Sequence, residues 1–266
     1  MPTIHFTIDG VPVSCEKDAM LLDVALAHGL SIPHLCHHGG VEPYGACRLC
    51  LVEISQGKWN WVESSCNYPV REDGIAVRTD SEKVRRYRRL NLELLMARCP
   101  DCEQVRQMAR ELGLEKTRLP EDGKDRCVLC GLCVNVCQDV VAVGAISFVG
   151  RGSERRVDTP YGEPSEVCIG CGACAEVCPT GNIRVREEGG EREIVPFPGK
   201  HHLVRCPDCG RGYVTEKQLV FLERKLSAKN EVLRGCPVCK GRRRAEELRK
   251  VLESIVSTCQ EASDVS

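Results

Sequence analysis

Aromatic residues are scarce, at 4% of the 266-residue chain. That argues against one large core filled with rings. Charge of either sign is not in excess: the formal net charge is −1, so no global field points to nucleic acid or a membrane surface. Long apolar runs are missing too. The longest, VVAVGAISFVG, is far short of the roughly 20 residues that cross a bilayer. The opening MPTIHFTIDG has no charged region followed by an apolar one, so no secretory leader is expected. A P-loop, a nucleophile triad, a proton-transfer dyad and a flavin motif are all lacking. What abounds is cysteine, with 20 residues. Most sit in Cys-x-x-Cys units, where two sulfurs converge on one metal, rather than in a disulfide pattern. The expectation is a soluble protein of a reducing compartment, most simply the cytoplasm, with two to three small domains or one large one.

The first eighty residues read as mixed α/β. TIHFTIDGVPVSC alternates around Asp9-Gly10, which predicts a β-hairpin. A short helix follows, with Asp18 as N-cap, Leu21, Leu22, Ala25 and Leu26 as its buried stripe, and Gly29 as its stop. Cys36, Cys47, Cys50 and Cys66 then give the spacing C-x10-C-x2-C-x15-C. Four thiolates on a glycine-containing loop suit a [2Fe–2S] cluster. Glycines 39, 40 and 45 would let backbone N–H groups approach its anionic core. Four buried structural thiols are the bland alternative. Cys36-His37-His38 contains Cys-x-His, but the second half of a Rieske motif is absent. His34, His37 and His38 are therefore read as polar loop residues rather than ligands.

This loop, with the β-grasp pattern around it, resembles the N-terminal ferredoxin domain of the large iron–sulfur subunit of complex I. The same domain occurs in the diaphorase small subunit of bidirectional hydrogenases and in iron-only hydrogenases. The resemblance covers about residues 1–190. It implies a chain that relays electrons inside a larger oxidoreductase.

CVLCGLCVNVCQDV and CIGCGACAEVCPTG are internal repeats of the form C-x2-C-x2-C-x3-C. Three close cysteines wrap one cubane and the fourth reaches the other cluster. That assigns Cys127, Cys130, Cys133 and Cys178 to one [4Fe–4S] cluster, and Cys168, Cys171, Cys174 and Cys137 to a second. Gly131 and Gly172 are expected where a side chain would crowd a cluster. Gln138 replaces the proline found at Pro179, which removes a rigid turn but no ligand. Gly170-x-Gly172-x-x-Ala175 mimics a dinucleotide fingerprint, yet it lies inside the cluster motif and follows no clear strand.

Between these regions lies LLMARCPDCEQVRQM, with one pair, Cys99 and Cys102. The resembling family often carries a further cubane here, on His-x3-Cys-x2-Cys-x5-Cys. In this chain the histidine position is Leu95 and the last cysteine position is Met108. Both fit the local periodicity. Val84, Tyr87, Asn91, Leu94 and Leu95 would share one helical face, and Val105, Met108, Ala109 and Leu112 another. The favoured reading is a lost cluster. A site completed by Cys15, Cys259 or a partner subunit, or a redox pair, stays open.

After a stretch read as a linker with hairpin character, EEGGEREIVPFPGK, come RCPDCGRGY and GCPVCKGRRR. Cys206, Cys209, Cys236 and Cys239 predict structural zinc, as in a zinc ribbon, with mononuclear iron as in rubredoxin the alternative. A helix starting on the capping box Thr215 to Gln218, with Leu219, Leu222 and Leu226 on one face, favours zinc. Leu248, Val251, Leu252, Ile255 and Val256 form a stripe expected to pack on this module, or else to dock a partner. The basic runs KVRRYRR and GRRRAEELRK are read as solvated or partner-facing helix surfaces. DNA binding is set aside because no recognition helix is evident.

The fold class expected is α+β and multi-domain. Residues 1–80 form a β-grasp [2Fe–2S] domain and 81–120 a helical connector. Residues 121–190 form a two-cluster ferredoxin, and 200–266 a zinc-ribbon or rubredoxin-like module. The resemblance implies two kinds of partner: a flavin- and NAD-binding diaphorase-type subunit, and a terminal hydrogenase, formate dehydrogenase or other low-potential reductase. Whether the complex bifurcates electrons is left open. A self-contained iron-only hydrogenase would need a large catalytic domain after the repeats, where only about 75 residues remain.

Overall fold

The computed structural model describes residues 2–121, 126–226 and 233–263, with 254–263 in backbone only. The chain divides into two compact units. One comprises 1–167, 172–185 and 195–198, and the other 168–171, 186–194 and 199 onward.

The first unit opens with β1 (Thr3–Ile8) and β2 (Val11–Glu16), an antiparallel hairpin. Asp9 and Gly10 turn it at φ 49° and 82°, the left-handed pair that a two-residue turn requires. With β3 (Leu51–Gln56), β4 (Trp59–Ser64) and β5 (Ala76–Arg78) they form a five-stranded sheet of order β2-β1-β5-β3-β4. Alternate residues such as Ile4, Phe6, Ile8, Val52 and Ile54 bury one face. They pack on α1 (Leu21–Ala27).

Two details of α1 differ from expectation. Asp18 does not cap it. Met20 is the N-cap and makes no side-chain bond, while the Leu21 N–H is taken up by Tyr68 O at 2.9 Å. Asp18 instead sits at φ 68° and pairs with Arg71 at 2.7 Å. Leu26 is exposed and Val24 takes its place in the core. Gly29 does end the helix, at φ 73°, with the Leu30 N–H donating back to Ala25 O.

α2 (Glu82–Arg98) is capped by Ser81, whose Oγ accepts from Val84 N. Its buried face is Val84, Arg88, Leu92 and Met96, not the expected Tyr87, Asn91 and Leu94. The face rotates because Arg88 turns inward and donates to Leu51 O at 2.6 Å, so one member of a run read as solvated is core. α3 (Glu103–Glu111) buries Val105 and Ala109, with Met108 and Leu112 partly covered, as the periodicity predicts. The cysteine repeats follow on α4 (Leu132–Asn135), which runs on through a π turn to Val140, and on α5 (Ala173–Glu176). A short hairpin, β6 (Ser147–Val149) and β7 (Arg156–Asp158), separates them.

The second unit is built on β8 (Arg184–Glu188), β9 (Glu191–Val195), β10 (Lys200–Arg205) and β11 (Gly212–Thr215), paired in sequence order. The hairpin character of 187–200 is present, but the stretch is no linker. β9 pairs with β10, and Ile194 is buried. α6 (Glu216–Leu226) starts where predicted, with Gln218 N donating to Thr215 Oγ1 at 3.1 Å. The return half of the capping box is not made, since Gln218 Oε1 is buried without a partner. Leu219 and Leu222 are half-buried and Leu226 is exposed.

α7 (Pro237–Ser263) departs most from expectation. Leu248, Val251 and Leu252 stand 57%, 54% and 61% exposed, so the stripe does not pack on its own module. Ile255 and Val256 lie outside the described side chains. No described helix is long and apolar enough to cross a membrane.

Candidate metal centres

The register of β3 on β4 sets Leu51 opposite Ser64. Cys50, just before β3, and Cys66, in the turn after β4, therefore meet, and Ser65 ties them by donating N–H and Oγ to Cys50 O at 3.0 and 2.8 Å. Cys36 and Cys47 arrive on the preceding loop, their sulfurs 3.3 Å apart. Cys36 and Cys50 each lie within hydrogen-bond reach of Cys66, and all four cysteines are buried. Hydrogen bonds from Cys47 and Cys66 hold the Cys36 thiol down at about 2, and that from Cys66 brings Cys50 to about 6. The donors Cys47 and Cys66 are raised in turn. The four groups thus share protons that a cationic metal would displace.

The loop is shaped tightly. Arg48 lies at φ 53°, and Gly45 at φ 70° has no room for a Cβ against Asn67. Gly39 and Gly40 have neither a positive φ nor a close neighbour among the protein atoms. His37 is held by Asp23 at 2.9 Å and His34 by Ile32 O at 2.7 Å, while His38 Nδ1 accepts from Gly40 N.

Cys127, Cys130, Cys133 and Cys178 line one cavity of about 520 Å3, with Arg126 and Arg156 beside them. Burial pushes the Cys130 thiol up to about 12, and raises Cys133 as well. A cavity lined by four cysteines, two of them, Cys130 and Cys133, kept from ionising by burial, fits a group bringing its own positive charge. Arg98 donates to Cys127 O at 2.9 Å, a bond that sequence reasoning missed for want of any local signal.

The repeats also share a backbone shape. Leu129 and Gly131 in the first, Gly170 and Gly172 in the second, all have positive φ. At Gly131 and Gly172 the protein itself also leaves little space: a Cβ would meet the Tyr44 ring at 3.0 Å and Val185 Cγ2 at 3.1 Å.

Cys137 sits on the π turn, its sulfur accepting from Ala145 N at 3.3 Å. The chain stays helical past Cys137, which is why Gln138 stands where the second repeat turns with Pro179. α5, carrying Cys174, packs against α4 and this π turn. Cys168 and Cys171 belong to the second unit, where Thr215 Oγ1 donates to Ile169 O and Arg192 Nη1 to Gly170 O at 3.1 Å.

Cys99 ends α2 and Cys102 begins α3. Both are buried in the apolar core with Leu92, Met96, Val105 and Ala109, and Leu95 and Met108 pack against that core. Cys15 packs in the separate core of the five-stranded sheet, so the structure does not bring it to the pair. Cys259 lies outside the described side chains.

In the second unit the sulfurs of Cys206, Cys209, Cys236 and Cys239 all lie within 4.8 Å of one another. Cys236 N donates to Cys206 Sγ at 3.2 Å and Cys239 N to Cys236 Sγ at 3.4 Å. The Cys236 N–H brings the Cys206 thiol down to about 6, while bonding to Cys236 lifts Cys239 to about 12. Four close sulfurs, two of them receiving backbone N–H bonds, suit a tetrathiolate ion.

Sequence comparison decides the family. A 2Fe-2S iron–sulfur cluster binding domain matches residues 1–82, and a 4Fe-4S dicluster domain matches 126–182 and 167–212. The solved NAD+-reducing [NiFe]-hydrogenase in the H2-reduced state is 30% identical. It matches with a TM-score of 0.52 over 59% of this chain and 74% of its own. The chain belongs to this family of iron–sulfur subunits. The NADPH-Fe(3+) oxidoreductase subunit alpha of Geobacter sulfurreducens is 36% identical over 204 residues, 68% of this chain and 24% of its own length. The mitochondrial NADH-ubiquinone oxidoreductase 78 kDa subunit of Candida albicans is 27% identical over 206 residues, 68% of this chain and 28% of its own length. The chain thus spans about a quarter of the length of these curated relatives.

Proposed function

We propose that this chain is an electron-relay subunit of a cytoplasmic oxidoreductase complex. Cys36, Cys47, Cys50 and Cys66 would hold one [2Fe–2S] cluster. Cys127, Cys130, Cys133 and Cys178 would hold a [4Fe–4S] cluster, and Cys168, Cys171, Cys174 and Cys137 a second. Cys206, Cys209, Cys236 and Cys239 would hold zinc. When bound, the clusters accept and release single electrons at potentials set by hydrogen bonds to sulfur, burial and nearby charge. The module division is 1–80 as a β-grasp, 81–120, 121–190 and 200–266, the last gaining the β8–β9 hairpin in its sheet.

The observation that carries this reading is the first cubane set. Three sulfurs from one repeat and one from the other, about 40 residues on, line a single cavity. The chain's residues position and insulate. Buried Leu92, Leu132 and Val136 keep water from the core shared with Cys36, Cys47 and Cys130. Partners inferred from relatives are a flavin- and NAD-binding diaphorase-type subunit and a terminal hydrogenase, formate dehydrogenase or other low-potential reductase.

Iron, sulfide and zinc content of anaerobically purified protein tests the reading. It predicts about ten iron, ten sulfide and one zinc per chain. About fourteen iron would place a further cubane at Cys99 and Cys102. About eleven iron without zinc would make the C-terminal site a mononuclear iron centre.

A further inference from the structure

The loop Cys168-Ile169-Gly170-Cys171 is gripped from three strands of the second unit. Thr215, the last residue of β11 and fully buried, donates its hydroxyl to Ile169 O. Arg192 on β9 donates to Gly170 O and is itself fixed by Glu187 at 2.7 Å. His201 on β10, 8% exposed, lies against Gly170, so that a Cβ there would meet its Cγ at 2.6 Å. The first metal knuckle, Cys206 to Cys209, is the connection between β10 and β11. Two of the three strands that hold the loop, β10 and β11, are therefore the strands that the four-cysteine site pins.

We infer that the C-terminal metal site is the fastener of the second cubane's loop, with Thr215, Arg192 and His201 as positioning residues. The inference rests on the cluster assignments proposed above. Buried carbonyls at Ile169 and Gly170 leave little freedom once bonded, and two of a cubane's four ligands flank them. Filling the Cys206–Cys209–Cys236–Cys239 site thus sets whether that cubane is retained, and leaves the first cubane and the [2Fe–2S] cluster untouched.

The test uses full-length, anaerobically purified protein, with iron content and low-temperature EPR of the reduced state as readouts. Thr215→Val removes the hydroxyl at nearly constant volume, Thr215→Ser restores it, and Cys239→Ala breaks the metal site. Thr215→Val and Cys239→Ala should each lose one cubane signal and about four iron per chain. The [2Fe–2S] signal should persist, and Thr215→Ser should behave as wild type. Retention of both cubane signals in Thr215→Val overturns the coupling. So does loss of the [2Fe–2S] signal along with the cubane, which would mean general unfolding. Fewer than two cubanes in the wild type would instead sink the cluster assignments themselves.

Discussion

Leu129 and Gly170 occupy the same place in the two cysteine repeats, and both turn the chain through the left-handed region, at φ 53° and 64°. A leucine pays about 1–2 kcal/mol to be there. Glycine at 170 is needed twice over, since His201 also fills the space of its Cβ. Leu129→Gly should therefore change the melting temperature little, relief of strain being offset by the roughly 0.5–1 kcal/mol entropic cost of glycine. Gly170→Leu should cost several times more and deplete iron. Equal effects in thermal melts of the two variants would refute the asymmetry.

Arg88 is a buried cation whose own charge is disfavoured by desolvation and supported by Asp80 and by Cys50, a residue of the [2Fe–2S] loop. Arg88→Met removes positive charge near that cluster, so the reduced state should be harder to reach. A fall on the order of 50 mV is expected in a redox titration of the [2Fe–2S] signal. Stability should move less, because relief of a buried charge offsets the orphaned Leu51 carbonyl, each being about 1–3 kcal/mol. An unchanged or raised potential would count against this electrostatic role.

His201 is shifted down by burial, with Lys217 and Arg192 adding to the effect. The fold favours its neutral form, so under acid conditions the unfolded chain binds the proton more readily. Its contribution to stability is present above the ordinary histidine value of about 6.5 and is lost as pH falls below it. The slope should approach at most about 1.4 kcal/mol per pH unit. Melting curves between pH 8 and 5 should show His201→Phe losing less stability on acidification than wild type. Parallel curves would mean that the imidazole does not titrate on unfolding.

Leu95 and Met108 stand where the resembling family has ligands, and both pack on the core around Cys99 and Cys102. The double variant Leu95→His, Met108→Cys should recover a cubane, raising iron from about ten to about fourteen per chain. Iron unchanged in a folded double variant would show that the backbone there has lost the shape as well as the ligands.

Short-range chemistry made much of this legible in advance. Asp9-Gly10 declared the first hairpin, Thr215 the start of α6, and the spacing of Cys36, Cys47, Cys50 and Cys66 the loop that gathers them. What the sequence hid was tertiary. Asp18 is a good cap by type, but the Tyr68 carbonyl took the task. A basic run gave no sign that Arg88 alone would turn inward. The stretch from Glu187 to Lys200, polar and rich in glycine, reads as a linker until β10 supplies the strand that pairs it. Thr215 and Arg192 bond to main-chain carbonyls of a distant loop, and a carbonyl leaves no mark in sequence.

The packed junction of α2 and α3 has a consequence for biogenesis. Regions that wait for iron fold only as fast as the cell delivers it. Leu95 and Met108 pack on the core around Cys99 and Cys102, so apolar contact can hold the α2–α3 junction before any metal is loaded. Such a connector would stand ready for the loops to either side when iron arrives.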